Sequence, residues 1–429
     1  MGLETMPKPP VIQPIQSIPI PATIPHLLDN GLSVYEMRMG TQEVVRIELV
    51  FQAGRPYEAQ QQVARAAAAL LKDGTAEKSS AQVAEHFDYY GATLSAAFQT
   101  DTNNLVLYCL ERQLPHVLPL FVDLLLAPAY REQDLSTYIR RRQLSLQEDL
   151  HKPEVVAYRH ITACFYGEDH PYGYNSTSDT YAQLNPTLLQ AHHQRLHMAT
   201  NGFALVSGHF QASTAKLIHQ QLARIPRGVA ASAPEMAIAN ESPSTIHLPV
   251  PNSPQSGIRI GRSLFTRQHP DATGLYFLNT VLGGYFGSRL MTNIREDKGY
   301  TYNISSSYET LRFAGSLQID TEVSPEHVAA TIKEVHNEIH RLQTDPIPPA
   351  ELQMVKNYLM GTFLSMVDGP FNWAETVRTL LSEGLPIDSF QALIDTTLDM
   401  DQNTLQHLAQ THLQAADLWT VIAGENTAS

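Results

Sequence analysis

The hydrophobic period along the chain changes repeatedly, and the changes come in the same order twice. Residues 44–54, VVRIELVFQAG, alternate apolar and polar positions and predict a strand. QQVARAAAALLKDG is Ala-rich with helical spacing and predicts a helix ended by Gly74. SSAQVAEHFDYYG predicts a second helix, N-capped by Ser79 or Ser80 and ended by Gly91. ATLSAAFQT and NLVLYCLE predict a hairpin. PHVLPLFVDLLLAP predicts an apolar helix, further helices follow to about residue 197, and GFALVSGHF predicts a closing strand.

The series then restarts. SGIRIGRSLF predicts a strand, and DATGLYFLNTVLGG and FGSRLMTNIREDKG predict two helices. YTYNISSSYE and GSLQIDTEV predict a hairpin, PEHVAATIKEVHNEIHRL opens another run of helices, and LWTVIAG closes it. Strand, two helices, hairpin and several helices thus occur twice, the mark of an internal duplication. The expected fold class is α+β: two homologous half-domains, each a mostly antiparallel sheet with helices packed on one face. Residues 1–25 are Pro-rich and predict an extended N-terminal segment. The expected boundaries are 26–225 for the N-terminal domain, 226–244 for a linker rich in Pro, Ser and Ala, and 245–429 for the C-terminal domain.

Composition narrows the function classes. Hydrophobic residues make up 43 % and charged residues 17 % of the 429, which excludes a chain disordered throughout. With 29 Lys+Arg against 43 Asp+Glu the net charge is −14, the wrong sign for nucleic acid or an anionic membrane as main partner. Two cysteines, Cys109 and Cys164, exclude a disulfide-stapled fold and a four-cysteine zinc site. The first residues have neither a basic region nor an apolar run, so the expected location is cytoplasmic.

LNTVLGGYFGSRLMTNIREDKGYTYNISSSYE, residues 278–309, holds a Gly-Gly pair, a Ser-Arg-Leu, an Arg-Glu-x-x-Gly and a Tyr. In the first half VFQAGRPYE, LLKDGT and YYGATLSAAFQTD follow in order. On these segments the sequence resembles the pitrilysin/insulinase metallopeptidase family, in particular short bacterial members related to the mitochondrial processing peptidase. The resemblance implies paired α+β half-domains, a clamshell made from two such chains or from one double-length chain, and a zinc motif H-x-x-E-H on the helix before LLKDGT. Those motif positions fall on Arg65, Ala68 and Ala69. Alanine has no donor atom, and a guanidinium offers no lone pair to a metal. No His lies between His26 and His86 to repair the motif by a shift of register. The family's third ligand is expected near Leu144 or Ser145, one turn from Glu148.

The resemblance also implies that an Arg and a Tyr seven residues apart bind substrate and polarise the scissile carbonyl; here they are Arg295 and Tyr302. In the two-chain members one subunit carries zinc and the other carries this pair. The expectation is therefore a zinc-free, substrate-binding subunit of a heterodimeric zinc endopeptidase. It has no cofactor of its own, and its partners are a zinc-bearing paralogue and peptide substrates. The alternative is an inert docking or structural protein of the same fold, acting as a homodimer. A third reading puts a relocated metal at His336/His340 or His193/His197, both at i, i+4 spacing, against a plain reading of solvated helix faces. Gln82–His86 mimics the zinc motif on a different helix and reads as coincidence. The plain alternative for the pair is Arg295 capping a helix and Tyr302 packing in the hairpin.

Overall fold

The computed structural model describes residues 14–232, 236 and 242–425. The first sheet contains β1 (Ile24–Leu27), β2 (Ser33–Arg38), β3 (Val44–Phe51), β4 (Thr93–Phe98), β5 (Asn103–Leu110) and β6 (Gly202–Gly208), in the order β1-β2-β6-β3-β5-β4. The second contains β7 (Thr245–Pro249), β8 (Ser256–Leu264), β9 (Ile304–Thr310), β10 (Gly315–Val323) and β11 (Trp419–Gly424), in the order β7-β11-β8-β10-β9. Strand for strand the orders match once β1 is set aside. Each sheet has one parallel pair, β2 with β6 and β7 with β11, and is otherwise antiparallel. The chain is α+β with two such units.

The helices of the first half are α1 (Val63–Leu70), α2 (Ser80–Tyr89), α3 (Leu114–Leu126), α4 (Glu132–Asp149), α5 (Pro153–Tyr166), α6 (Ser178–Ala182), α7 (Pro186–Leu196) and α8 (Ala212–Leu222). Those of the second are α9 (Ala272–Leu282), α10 (Val328–Thr344), α11 (Pro349–Met366), α12 (Gly369–Ser382), α13 (Ser389–Asp399) and α14 (Gln402–His412). None is long and apolar enough to cross a membrane among the described residues.

Period-2 patterning assigns each strand residue to a face. In β3, Val45, Ile47, Leu49 and Phe51 join the core formed with α3 and α8 of the same half. Burying each such side chain is worth about 1.5–3 kcal/mol. The opposite face is also covered, by a helix from the other half. There Val50 joins the core of the second half, and Arg46 and Glu48 are buried next to α12. Arg46 Nη1 reaches the Phe371 carbonyl at 3.5 Å, and Arg378 Nε lies 3.7 Å from Glu48. The exchange is reciprocal: α5 lies on β8 and β11 of the second sheet. It fits because Gly257 and Gly261 leave room. A Cβ on Gly257 would stand 2.8 Å from the Pro153 and Glu154 backbone, and one on Gly261 3.0 Å from Phe165.

Two details differ from expectation. β1 and β2 are strands that the sequence pattern does not announce, because Pro25 masks the first; proline is tolerated there since β1 is a sheet edge. Met291–Asp297, read as an ordinary helix, is wound as a π-helix. Of the expected N-terminal segment, residues 1–13 lie outside the described residues. Residues 14–23 form no helix or strand, Ile18 is buried in the second half's core, and Thr23 accepts from Trp373 Nε1 at 2.9 Å. The expected linker lies partly outside the described residues, at 233–235 and 237–241.

Candidate functional site

The helix α1 owes its helicity to the run Ala66–Ala69 and its position to two anchors. At its start, Glu58 Oε2 accepts from the Ala64 N–H at 3.0 Å. Burial pushes that carboxyl up to about 7, against the opposing pull of the Tyr174 hydroxyl, which donates to it at 2.5 Å. Further along, the Tyr130 hydroxyl lies 3.2 Å from the Ala67 carbonyl and 3.3 Å from His193 Nδ1. Positions 65, 68 and 69 share one face of this helix. Ala68 is buried, Ala69 and Arg65 half-buried. The Arg65 guanidinium lies over the Phe98 ring at 4.7 Å.

Other cations surround it. Burial, then the charges of Arg142 on α4 and Arg55, lower the pKa of Arg65. Arg55 stacks on Tyr174 at 4.3 Å. Among the described residues, Arg55, Arg65 and Arg142 form no ion pair with a carboxylate. The Tyr138 hydroxyl and Arg142 Nε are buried without a hydrogen-bond partner. On α4 the groups that act on Arg65 are Arg142 and Tyr138, not the residues expected to supply a third ligand. Leu144 is exposed, Glu148 is exposed, and Ser145 donates to Asp149 Oδ2 at 3.3 Å. Zinc needs lone pairs on imidazole, thiolate or carboxylate. This face offers methyl groups and guanidinium groups, so its residues do not fit zinc.

The segment carrying Arg295 and Tyr302 is built differently. The π-helical turn is held by buried Met291 and Ile294, and Asn293 Nδ2 donates to Glu338 Oε1 at 2.6 Å. Gly299 then reverses the chain at φ +66°, a left-handed conformation that favours glycine. The following loop is tied to β10. Thr301 Oγ1 donates to the Glu322 carbonyl at 2.7 Å and accepts from the Asn303 N–H at 3.2 Å. Thr321 Oγ1 donates to the Asn303 carbonyl at 2.8 Å. On this anchored loop Tyr302 is 91 % exposed, so it does not pack in the hairpin. Arg295 stacks over Phe286 at 4.7 Å. Tyr302 lines a cavity of about 250 Å³ together with Glu154, Arg259, Asp320 and Glu322. Burial, then the neighbouring Glu154, raises the pKa of Glu322.

The two regions line different cavities, which adjoin where Arg259 of the Tyr302 cavity lies over the Tyr158 ring of the other at 5.4 Å. Arg55 and Arg65 line a separate cavity of about 460 Å³ between the halves, opposite Tyr308, Glu309 and Glu383. Of the other histidine pairs, His340 is exposed and His336 half-buried on α10, with Glu338 between them buried and paired to Arg341 at 2.7 Å. His193 and His197 are not a solvated face: both are buried, stacked at 4.3 Å, and His193 Nε2 donates to the Leu125 carbonyl at 2.7 Å. Gln82 completes a capping box with Ser79, which accounts for its place near His86. Cys109 is buried, and burial holds its thiol up at about 12.

Comparison with known proteins places these features. Residues 35–172 match the family model described as Insulinase (Peptidase family M16), and residues 183–359 match the one described as Peptidase M16 inactive domain. An uncharacterized zinc protease YmxG of Bacillus subtilis is 22 % identical over 295 residues, 68 % of this chain and 71 % of that protein. A non-peptidase homolog YmxG of Helicobacter pylori is 29 % identical over 142 residues, 32 % of each chain. The crystal structure of a peptidase M16 inactive domain from Pseudomonas fluorescens superposes with a TM-score of 0.88, at 22 % identity, over 95 % of this chain and 99 % of that one.

Proposed function

Because the chain belongs to the insulinase/pitrilysin-type family of M16 peptidases, we propose that it is the zinc-free, substrate-binding subunit of a two-chain zinc endopeptidase. The observation that carries this reading is the exposure of Tyr302 on an anchored loop, in a chain whose own motif positions are Arg65, Ala68 and Ala69. A phenol held this way can donate to an oxygen that becomes negative in a tetrahedral intermediate. The Arg295 guanidinium can hold a peptide carbonyl or carboxylate through fixed donors. Both groups would act at the metal of a paralogous partner, since the metal-binding face of this chain does not fit one.

The carboxylates Glu154, Asp320 and Glu322 beside Tyr302 favour a basic side chain in the substrate, whose charge would relieve the Glu154–Glu322 contact. The edge strand β4 pairs with β5 alone and leaves its other side for an extended peptide, whereas on β9 the Ser306 N–H and carbonyl are already bonded to Gly283 and Asn279.

The test is reconstitution. The isolated chain is expected to cut no peptide, and activity is expected on mixing with a zinc-bearing paralogue from the same source. Cleavage by this chain alone, lost with Arg65→Ala, would overturn the reading. The docking-protein alternative is favoured by the non-peptidase homolog found above. It predicts peptide binding by a homodimer, with no gain of turnover in any mixture.

A further inference from the structure

Three donor groups meet in the first half, far in sequence from the family's zinc positions. His26 lies on the edge strand β1, Glu36 on β2 and His219 on α8. One donor atom from each falls within 4.8 Å of the others. Glu36 is wholly buried, although it is a carboxylate. Its Oε2 is held by Arg38, whose Nε donates at 2.7 Å and whose Nη2 also contacts it. Its Oε1 is left facing His219 Nε2, 2.8 Å away. His26 Nε2 stands 3.6 Å from Oε2. The three inward atoms, His26 Nε2, Glu36 Oε1 and His219 Nε2, are buried, and none has a hydrogen bond.

His219 Nε2 and Glu36 Oε1 stand at ion-pair distance, 2.8 Å, without the geometry of a hydrogen bond. Three unsatisfied lone-pair atoms converging from three elements have another natural partner, a cation. Two imidazole nitrogens and one carboxylate oxygen form a set suited to zinc and its first-row neighbours. Tetrahedral zinc, with bonds of about 2.0–2.1 Å, keeps its ligand atoms about 3.3 Å apart, within side-chain adjustment of this cluster. The imidazoles are partly open, 36 % and 24 % exposed against 1 % for the Glu36 side chain, so a water can complete the shell. Arg38 acts from behind, fixing Oε2 and turning Oε1 inward.

We propose that His26, Glu36 and His219 bind one divalent transition-metal ion of the zinc type, which clamps β1 to α8. The clamp explains how a four-residue edge strand containing Pro25 stays seated, since β1 pairs with β2 alone. The site is independent of the role given to Arg295 and Tyr302 and concerns no peptidase step.

The test uses the full chain, stripped with a chelator and titrated with Zn²⁺ by calorimetry, and with Co²⁺ by visible absorption. The expected result is one ion per chain, Co²⁺ bands of a nitrogen/oxygen site, and protection of residues 24–27 from proteolysis on metal addition. His26→Ala and His219→Ala are each expected to weaken binding by on the order of 100-fold or more, since even outer-shell losses cost about 10–100-fold. Both side chains are partly exposed, so the variants should melt like the parent in chelator. Arg65→Ala and His340→Ala are expected to leave binding unchanged. Absence of stoichiometric uptake, or uptake indifferent to both histidine variants, overturns the site.

Discussion

The two halves share a strand order and differ in what they keep. The first holds its helix α1 firmly and presents Arg65, Ala68 and Ala69 on its face. The second carries a loop with Arg295 and an exposed Tyr302, braced by Thr301 and Thr321. Two units of one strand order can thus present different chemistry, because stability rests on the core and function on a few groups. The halves also cover each other by different means. The second sheet receives α5 on glycines, and the first receives α12 over the buried pair Arg46 and Glu48, 2.7 Å apart.

The sharpest test of that contrast is Gly257→Val. The new side chain would meet the Pro153–Glu154 backbone, so a loss of about 3 kcal/mol is expected from denaturant unfolding, as for severe overpacking. An unchanged midpoint would mean that α5 does not depend on this close approach.

The second contrast is in acid. The first half buries His192, His193 and His197; burial lowers all three, the first two to about 4 and His197 well below its usual value. Unfolded histidine titrates near 6.5. Between about 4 and 6.5 the unfolded chain binds more protons, so stability is fully present above 6.5 and falls as pH drops. Each of the first two contributes on the order of 3 kcal/mol over that window. Glu58, raised to about 7, works the other way between 4.5 and 7, and burial raises the carboxyls of Asp73, Asp101, Glu309, Glu322 and Glu383 as well, so these groups offset part of the loss, while the lowered His170 and His336 add to it. Urea titrations at pH 7.5 and 5 should show the loss; a flat profile would place these imidazoles in contact with water. The smallest effect comes from His197→Phe. Both ring nitrogens of His197 are buried without a hydrogen bond, and Phe51 lies 5.1 Å away. The variant is expected to gain about 1 kcal/mol at neutral pH and to soften the acid loss. A destabilised variant would mean that a nitrogen has a partner.

Much of this was legible in the sequence, for identifiable reasons. Strands such as β3 and β8 and helices such as α2 carry their own pattern and caps, with Ser79 and Gly91 where the capping rules put them. That Ala68, Ala69 and Arg65 offer no lone pair to a metal was legible because it is a property of the residue. What could not be read depends on distant segments meeting. No spacing links Arg55, Arg65 and Arg142, or His26, Glu36 and His219, and nothing local says that α5 and α12 cross to the opposite sheets. The pair His193 and His197 misled for the same reason: polarity suggested a wet face, and tertiary packing buried it.

The most direct measurement is the turnover of the reconstituted two-chain enzyme carrying Tyr302→Phe in this chain. Tyr302 is almost wholly exposed, so folding stability should stay within about 0.5 kcal/mol of the parent. Turnover should fall by about 10²–10³, the loss of one hydrogen-bond donor to the developing oxyanion. Full turnover with Tyr302→Phe and with Arg295→Ala would contradict the claim that this half works at its partner's metal.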